Sequence, residues 1–314
     1  MNSHYLCLMG ALLTGWLISG TSYGAAMAPA SFAYVLQADA FAKTRALAVQ
    51  RLAVCHRDWI VLDPEFAKGD RWGRADLDAI RAGQPGRQLL AYLSIGEAED
   101  YRPYWRKEWG AKGNLTAAAP KWLGAENPQW KGNYKVHFWH PAWQRLMLDA
   151  VAAAMAQGFD GVYLDIVDAF EFFETEGTRT IDDRLNLATK QTFRRDMVGW
   201  VKAIAASASA NQPNALVIPQ NGAQLLAHSD FANTVSGIGL EDTFTNGDKL
   251  QAREHSDYVL GFLKPLRQSG KPVLTIEYPR QKPLQEMFRQ RAHMEGFTWL
   301  LTDRQLKTLG ESGR

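Results

Sequence analysis

The sequence predicts an α/β protein that folds as a single (β/α)8 TIM-like barrel. From Ser31 onward, short apolar runs rich in β-branched or aromatic residues alternate with longer segments of helical period, which is the pattern of βα units around a parallel sheet. Eight such runs are present, and eight strands favour a closed barrel over an open sheet. No internal repeat or Pro/Gly/Ser-rich linker divides the chain, so we expect one domain over residues 27–314.

Each predicted strand is a short apolar run bounded by polar or turn-forming residues. In chain order the strands are predicted at Phe32–Leu36, Trp59–Leu62, Leu89–Ile95, Gly161–Ile166, Leu216–Pro219, Val235–Leu240, Pro272–Ile276 and Phe297–Leu301. Apolar residues at helical spacing predict helices at Arg74–Arg81, Trp143–Gln157, Asp183–Ala208, Arg253–Gln268 and Leu284–Met294.

The first residues have the features of a secretory signal peptide. Leu6–Ser19 is apolar and too short to span a bilayer reliably, and small residues follow it up to Ala26. We therefore predict a signal peptide over residues 1–26 and export to the periplasm or the extracellular space. Because no Lys or Arg precedes the apolar run, an uncleaved anchor is the alternative. Cleavage near Ala26 would leave Cys55 as the only cysteine, without an intramolecular disulfide.

Composition excludes some classes of partner. Hydrophobic residues make up 46% of the chain and charged residues 22%, which is typical of a globular protein that buries a core. The net charge is +2 and no Lys/Arg run could follow a phosphate backbone, so we expect no nucleic-acid partner, and no stable protein partner is predicted. The 11 Trp and 10 Tyr offer flat faces on which sugar rings could stack, although any single ring is more commonly part of a core.

The longest irregular stretch, Glu97–Pro141, follows the third predicted strand. In a barrel it would cover the C-terminal face, where active sites of this fold lie. The alternative is a loop that packs on its own aromatic side chains. Its aromatic residues are Tyr101, Tyr104, Trp105, Trp109, Trp122, Trp130, Tyr134 and Trp139.

Acidic and polar residues recur where the predicted strands end. In a parallel barrel these positions surround one mouth, so residues distant in sequence would converge on one pocket. Any one of them alone is more commonly a helix cap or a turn former. The positions are Asp63, Glu97, Asp165, Asp168, Gln220, Asn221, Glu241, Asp242, Glu277 and Tyr278.

Clustered carboxylates suit glycosidic cleavage. Because like charges raise each other's pKa, one acid can stay protonated beside an ionised carboxylate, and glycoside hydrolysis uses such a pair. The same cluster could instead hold Mg²⁺ or Ca²⁺, which is our second interpretation. His137 and His140 lack the helical frame of a zinc protease, and no Ser, Cys or phosphate-loop motif is present. We therefore predict neither a metal nor a cofactor.

Four motifs occur in order along the chain, and on them the sequence resembles glycoside hydrolase family 114, the endo-α-1,4-polygalactosaminidase-like barrels. They are YLSIGEAEDYR at 92–102, GFDGVYLDIVD at 158–168, IPQNG at 218–222 and GIGLED at 237–242. The resemblance implies a TIM-like barrel, export, no metal requirement and hydrolysis of α-linked amino-sugar polymers. It also implies that Asp165 is the nucleophile and Glu241 the general acid/base.

Strand geometry agrees with the resemblance at Asp165. Asp165 is at the end of its strand and should point into the mouth, whereas Asp168 enters a loop. Between Glu241 and Asp242 the choice depends on the register of the strand, and the resemblance favours Glu241. The predicted substrate-contacting residues are Asp63, Ser94, Glu97, Tyr101, Asp168, Gln220, Asn221, Asp242, Glu277 and Tyr278.

An acidic mouth would attract a cationic polymer such as partly deacetylated galactosamine, or its carboxylates would simply hydrogen-bond sugar hydroxyls. Two other functions stay open at this point. One is a non-catalytic polysaccharide-binding barrel, and the other is a metal-dependent hydrolase that uses the same acidic mouth.

Overall fold

A computed structural model describes residues 28–111 and 113–314, and eight parallel strands form its centre. The predicted signal peptide lies outside the described residues. Every predicted strand overlaps an observed one, so the α/β barrel predicted from the sequence is confirmed. The eight strands are Phe32–Val35, Trp59–Leu62, Gln88–Ser94, Gly161–Asp165, Leu216–Pro219, Ile238–Glu241, Val273–Glu277 and Thr298–Leu301.

The strands lie side by side in chain order, in two hydrogen-bonded arcs. The first to fifth strands form one arc, and the sixth to eighth form the other together with the antiparallel strand Glu311–Gly313. A parallel bridge between Gln220 and Gly239 connects the fifth and sixth strands. At the opposite seam the Ser312 hydroxyl donates to the Trp299 carbonyl, 2.7 Å away, and accepts from the Phe32 amide at 2.9 Å. The Ser312 side chain thus connects the eighth strand to the first, two described strands that share no backbone hydrogen-bond ladder.

Ten helices surround the strands in the described part of the chain. Two of them lie where the sequence predicted one helix over Arg253–Gln268, because the backbone breaks at Leu263, just before Pro265, which lacks an amide donor. The helices are Ala38–Phe41, Arg45–Val54, Arg74–Ala82, Pro141–Gln157, Ala169–Glu174, Phe193–Asn211, Ser229–Thr234, Arg253–Phe262, Lys264–Gln268 and Lys282–Glu295.

The helix predicted from Asp183 begins ten residues later, at Phe193. Asp183 and Lys190 have φ angles of 55° and 62°, which a right-handed helix cannot contain, and a short hairpin occupies the interval. Thr192 caps the helix by accepting a hydrogen bond from the Arg195 amide at 3.2 Å. Helix Arg45–Val54 was not predicted from the sequence at all.

The stretch predicted to be irregular after the third strand contains a three-stranded antiparallel sheet. Its strands are Glu97–Glu99, Leu123–Glu126 and Asn133–Val136. Four of the aromatic side chains here pack on one another, as the alternative interpretation held: Trp105 contacts Trp109 and Tyr134, and Trp109 contacts Trp122, with ring centroids 5.6, 4.7 and 5.4 Å apart. Shorter strand pairs join Glu65–Ala67 to Asp70–Arg71, Gly110–Ala111 to Asn114–Leu115, Thr175–Glu176 to Arg179–Thr180, Leu185–Asn186 to Gln191–Thr192, and Thr245–Asn246 to Lys249–Leu250.

A buried arginine fastens two helices at the end of the barrel opposite the mouth. Arg87 is 1% exposed, and its guanidinium donates to the carbonyls of Leu52 at 2.8 Å and Ile80 at 2.6 Å. These carbonyls belong to the last turns of helices Arg45–Val54 and Arg74–Ala82. Carbonyls in a last turn have no amide donor four residues further along the helix, so the guanidinium supplies a donor.

Two apolar clusters make up the core. The larger one lies between the strands and the helices, and the smaller one fills the barrel, where alternate residues of each strand point inward. The inner cluster ends in four tyrosines that form the floor beneath the mouth; Tyr34, Tyr92 and Tyr163 lie on strands, and Tyr278 directly follows the seventh strand. None of the described helices has both the length and the apolar character needed to cross a membrane.

Candidate active site

Asp165 and Glu241 occupy the last positions of the fourth and sixth strands. Asp165 follows inward-facing Tyr163 by two residues, and Glu241 stands two residues beyond Gly239, so both carboxylates share the inner face of the barrel. The charge of Asp165 also raises the pKa of Glu241. The two residues predicted to be catalytic therefore meet at one mouth.

The Asp165 carboxylate is fixed by two hydrogen bonds. Its Oδ2 accepts from the Tyr92 hydroxyl at 2.7 Å, and its Oδ1 accepts from the Ile166 amide at 2.8 Å. Burial raises the pKa of Asp165 to about 6, while these two hydrogen bonds oppose the shift. Near neutral pH this carboxyl is mostly ionised and held in one orientation.

Glu241 is the stronger candidate for a protonated acid. Burial and then the charge of Asp165 raise its pKa to about 7, although the Tyr278 hydroxyl donates to its Oε1. The Glu241 amide donates to Asn221 Oδ1 at 3.1 Å, which ties the sixth strand to the end of the fifth. The site thus pairs a carboxyl that ionises more readily with one that keeps its proton longer.

Strained backbone follows the fourth, fifth and sixth strands. Ile166, Asn221 and Asp242 have φ angles of 57°, 61° and 51°, a region that costs energy for any residue with a Cβ, above all for a β-branched one. Strain of this kind persists only where the surroundings enforce it, and it concentrates at functional sites. The three turns lie directly beside the predicted catalytic pair.

A glycine is required beneath the pair. A Cβ at Gly239 would collide with the Tyr163 hydroxyl and with Gln220 Oε1, which are hydrogen-bonded to each other. Gln220 is 1% exposed, and its Nε2 has no hydrogen-bond partner among the described residues. Gly239 makes room for this polar pair immediately below the carboxylates.

A charged network stands on the second-strand side of the mouth. Arg102 contacts Asp63 at 2.7 Å and Glu99 at 2.6 Å, and Glu99 also accepts a hydrogen bond from the Tyr101 hydroxyl. Burial raises the pKa of Asp63 to about 6, opposed by the neighbouring Arg102. Tyr101 is 43% exposed. The predicted residues Asp63 and Tyr101 are therefore linked to each other through Glu99 and Arg102.

Two of the predicted substrate-contacting residues, Glu97 and Ser94, are buried and bonded to the added sheet or its connection. Glu97, 0% exposed, contacts Lys135 Nζ at 2.5 Å and accepts from Asn127 Nδ2 at 2.8 Å. Ser94, 4% exposed, donates to the Glu97 carbonyl at 2.9 Å. Glu97 and Ser94 thus fasten the added sheet to the third strand, and their role as substrate contacts stays a prediction.

Glu277 is likewise buried and held by hydrogen bonds within the protein. It is 0% exposed and accepts from the amides of Phe244 at 2.8 Å and Thr245 at 3.1 Å, and from the Thr245 hydroxyl. Burial raises the pKa of Glu277 to about 8. Its carboxyl holds the base of the loop after the sixth strand and does not face the mouth.

The mouth opens into a cavity of about 570 Å³. Asp168, Asn221, Glu241 and Asp242 line it, so four of the predicted residues border one space. Asp168 has no side-chain partner among the described residues, and burial, followed by the charge of Glu171, raises its pKa to about 8. Asp242 is instead paired with Arg304 at 2.7 Å.

Several residues of the site were not predicted from the sequence. Tyr92 and Tyr163 stand two positions before Ser94 and Asp165 and share their inward face, a period-two signal that was available. Arg304 comes from the segment after the eighth strand, and its guanidinium lies 4.1 Å from the ring centroid of Tyr278. Because Arg304 lies three residues beyond the end of that strand, the search for polar residues at strand ends did not include it.

The two histidines have structural positions. His140 Nδ1 accepts from the Ala142 amide at 3.1 Å and caps helix Pro141–Gln157. His137 stacks on Trp139 with ring centroids 4.9 Å apart. Each imidazole ring therefore makes a structural contact, one as a helix cap and the other in an aromatic stack.

Comparisons with known proteins agree with this geometry. The model of Glycoside-hydrolase family GH114 matches residues 25–314. An uncharacterised protein of Deinococcus radiodurans is 37% identical over 253 residues, covering 80% of this chain and 74% of the relative. The glycoside hydrolase domain of PelA from Pseudomonas aeruginosa superimposes with a TM-score of 0.64 at 20% identity, over 90% of this chain and 98% of that domain. Ega3 of Aspergillus fumigatus, solved in complex with galactosamine, gives 0.65 at 16% identity, over 93% and 97%. At these identities the two structures establish the shared fold.

Proposed function

Because the chain belongs to glycoside-hydrolase family GH114, we propose that it cleaves α-linked, galactosamine-containing polysaccharide with Asp165 as nucleophile and Glu241 as general acid/base. The observation that carries the proposal is the pairing of these two carboxyls at one mouth, with pKa values raised to about 6 and about 7. A glycoside hydrolase needs one ionised and one protonated carboxyl, and this order of pKa values supplies them.

The proposed reaction has two steps. In the first, Asp165 attacks the anomeric carbon, the glycosidic bond breaks, and Glu241 transfers its proton to the departing oxygen. In the second, Glu241 takes a proton from water, the water oxygen attacks the same carbon, and Asp165 leaves as a carboxylate. Tyr92 and the Ile166 amide hold Asp165 in orientation for both steps.

Amino-sugar specificity is supported by the chemistry of the cavity. Asp168 lines it without a cationic side-chain partner, and Glu171 and Glu241 share the same wall. Burial raises the pKa of Asp168 to about 8, and an ammonium group of a deacetylated sugar beside it would lower that pKa and favour the ionised carboxylate. Ega3, which shares the fold, was solved in complex with galactosamine.

The function is tested by measuring release of reducing ends from purified α-1,4-linked galactosamine polymer, with and without EDTA. We expect activity that EDTA leaves unchanged, because two carboxyls suffice for the proposed chemistry. Activity abolished by EDTA would favour the metal-dependent alternative. Binding without any release of reducing ends would favour a polysaccharide-binding barrel.

The pH profile of kcat/KM is expected to be bell-shaped, with its maximum between about pH 6 and 7. Activity rises with pH as Asp165 ionises near pH 6 and falls as Glu241 loses its proton near pH 7. Since the two groups interact, these values belong to the pair. Initial rates at low substrate concentration, measured across pH 4 to 9 (a range set by about two units beyond each limb), give the profile. A rate that keeps rising through pH 8 would contradict the assignment of Glu241.

Salt dependence is expected to separate charged from neutral substrates. If the acidic cavity attracts a cationic polymer, kcat/KM on deacetylated polymer should fall several-fold between 0.05 and 0.5 M NaCl, roughly the range over which the Debye length drops below 10 Å. Activity on the fully N-acetylated polymer serves as the control and should stay nearly constant. Equal salt dependence for both polymers would reject electrostatic attraction and would indicate that the carboxylates only hydrogen-bond sugar hydroxyls.

Export completes the proposal. Residues 1–26 have the composition of a signal peptide, and a polysaccharide substrate would be met outside the cytoplasm. The amino-terminal sequence of the protein recovered from a periplasmic or culture-medium fraction distinguishes a cleaved signal from a retained anchor.

A further inference from the structure

Tyr34 carries the one unpaired hydroxyl among the four tyrosines of the barrel floor, as far as the described residues show. Tyr92 donates to Asp165, Tyr278 to Glu241 and Tyr163 to Gln220. Tyr34 lies on the first strand and is 2% exposed, yet its hydroxyl has no hydrogen-bond partner in residues 28–111 and 113–314.

The position of this hydroxyl is defined by its neighbours. The Tyr34 ring lies 5.1 Å from that of Tyr163 and 6.2 Å from that of Tyr92, centroid to centroid. After burial, the charges of Asp165, Tyr163 and Glu241 are the main causes that raise the pKa of Tyr34. The hydroxyl therefore lies near both carboxyls and stays a neutral donor throughout the working pH range.

An unpaired donor at this place is unusual for a folded protein. Polar groups inside a folded protein nearly always bond to another protein group, whereas the Tyr34 hydroxyl has no such partner in the described part of the chain and is not among the atoms fully shielded from solvent. Beneath the same carboxyls the Nε2 of Gln220 also lacks a partner among the described residues. Two unused donors thus lie at the floor of a site whose carboxyls are already held by other tyrosines.

We propose that the Tyr34 hydroxyl is a substrate contact, donating a hydrogen bond to a hydroxyl oxygen of the sugar unit bound between Asp165 and Glu241. The proposal rests on the proposed glycoside hydrolase function. It explains why the donor is left unpaired, since an acceptor arrives only with the substrate. A site built to hydrogen-bond a particular hydroxyl discriminates against sugars that do not place an acceptor there.

Tyr34→Phe tests the proposal, because it removes a single oxygen and keeps the ring. We expect kcat/KM on the polymer to fall by about tenfold or more, which is the loss expected for one hydrogen bond made only with the substrate. We also expect the melting temperature to stay nearly constant, since the hydroxyl that is removed makes no hydrogen bond within the described protein.

Thr275→Val is the matched control. Thr275 is 0% exposed, and its hydroxyl likewise has no partner among the described residues, but it alternates with inward-facing Leu274 and Ile276 and so faces away from the site. This variant should match wild type in kcat/KM and show the same change in melting temperature or none.

Other outcomes would overturn the proposal. Tyr34→Phe with wild-type kcat/KM, or with a large fall in melting temperature, would make the hydroxyl dispensable or structural. Failure of the proposed function is recognised separately, by a wild type that releases no reducing ends. In that event the proposed contact is tested by the dissociation constant of monomeric galactosamine, measured by calorimetry. Weaker binding by Tyr34→Phe supports the contact. Equal binding by wild type and Tyr34→Phe, or no binding by either, rejects it.

Discussion

Asp165→Asn is expected to lower kcat on the polymer by at least about 10³-fold, the scale seen when a nucleophile is removed from an enzyme. The amide cannot form the covalent bond to the anomeric carbon that the proposed first step requires. The fold should be retained, because an amide oxygen can still accept one of the two hydrogen bonds that Asp165 accepts from Tyr92 and Ile166.

Single-turnover and steady-state rates of the purified variant, with its melting temperature, measure this effect. Asp257→Asn is a suitable control, since Asp257 is 60% exposed in a surface ion pair with Arg253 and should alter neither quantity appreciably. Activity of Asp165→Asn within tenfold of wild type would exclude Asp165 as the nucleophile and would direct attention to Asp168, which lines the cavity together with Glu241.

Glu241→Gln should show an effect that depends on the leaving group. On the polymer the departing alkoxide must be protonated, so the loss of the acid is expected to cost about 10² to 10⁴ in kcat/KM. On an aryl glycoside with a nitrophenol leaving group protonation is not needed, and kcat/KM should fall far less. The alkaline limb of the pH profile near pH 7 should disappear with the carboxyl.

Parallel assays of both substrates with wild type and Glu241→Gln make the comparison. Glu254→Gln, an exposed substitution on helix Arg253–Phe262, controls for a general effect of lost charge. An equal loss on both substrates would argue that Glu241 acts on binding or on orientation and does not supply the proton.

The barrel could be predicted because its signal is local. Each strand is a continuous apolar run, and the residues that end these runs determine which side chains reach the mouth. The start of helix Phe193–Asn211 could not be predicted in this way, because Leu185 and Ala188 extend the helical spacing of apolar residues into the interval before it. Left-handed backbone at Asp183 and Lys190, residue types with no strong preference to break a helix there, interrupts it.

The site was predictable to the level of strand ends and no further. Position at a strand end places a carboxyl near the mouth, but its exposure depends on partners from distant segments. Glu97 is buried by Lys135, on the added sheet, and by Asn127, directly after one of its strands. The residues at the ends of the barrel strands do not predict that sheet. The positions of Asp165 and Glu241 at the mouth could be predicted because both residues end a barrel strand, while their catalytic roles stay a prediction.

The buried carboxyl of Glu277 has a consequence for how this protein can diversify. It accepts hydrogen bonds from the amides of Phe244 and Thr245, which begin the loop three residues after Glu241. The hairpin turn at Asn246–Lys249 follows these two residues. Because the base of the loop is fixed, we expect changes at the tip, residues 247–249, to leave the Glu241 carboxyl in place, whereas Asn246 and Gln251 line the cavity itself. The hairpin tip is therefore a natural place for grafting new specificity, both in evolution and in the laboratory.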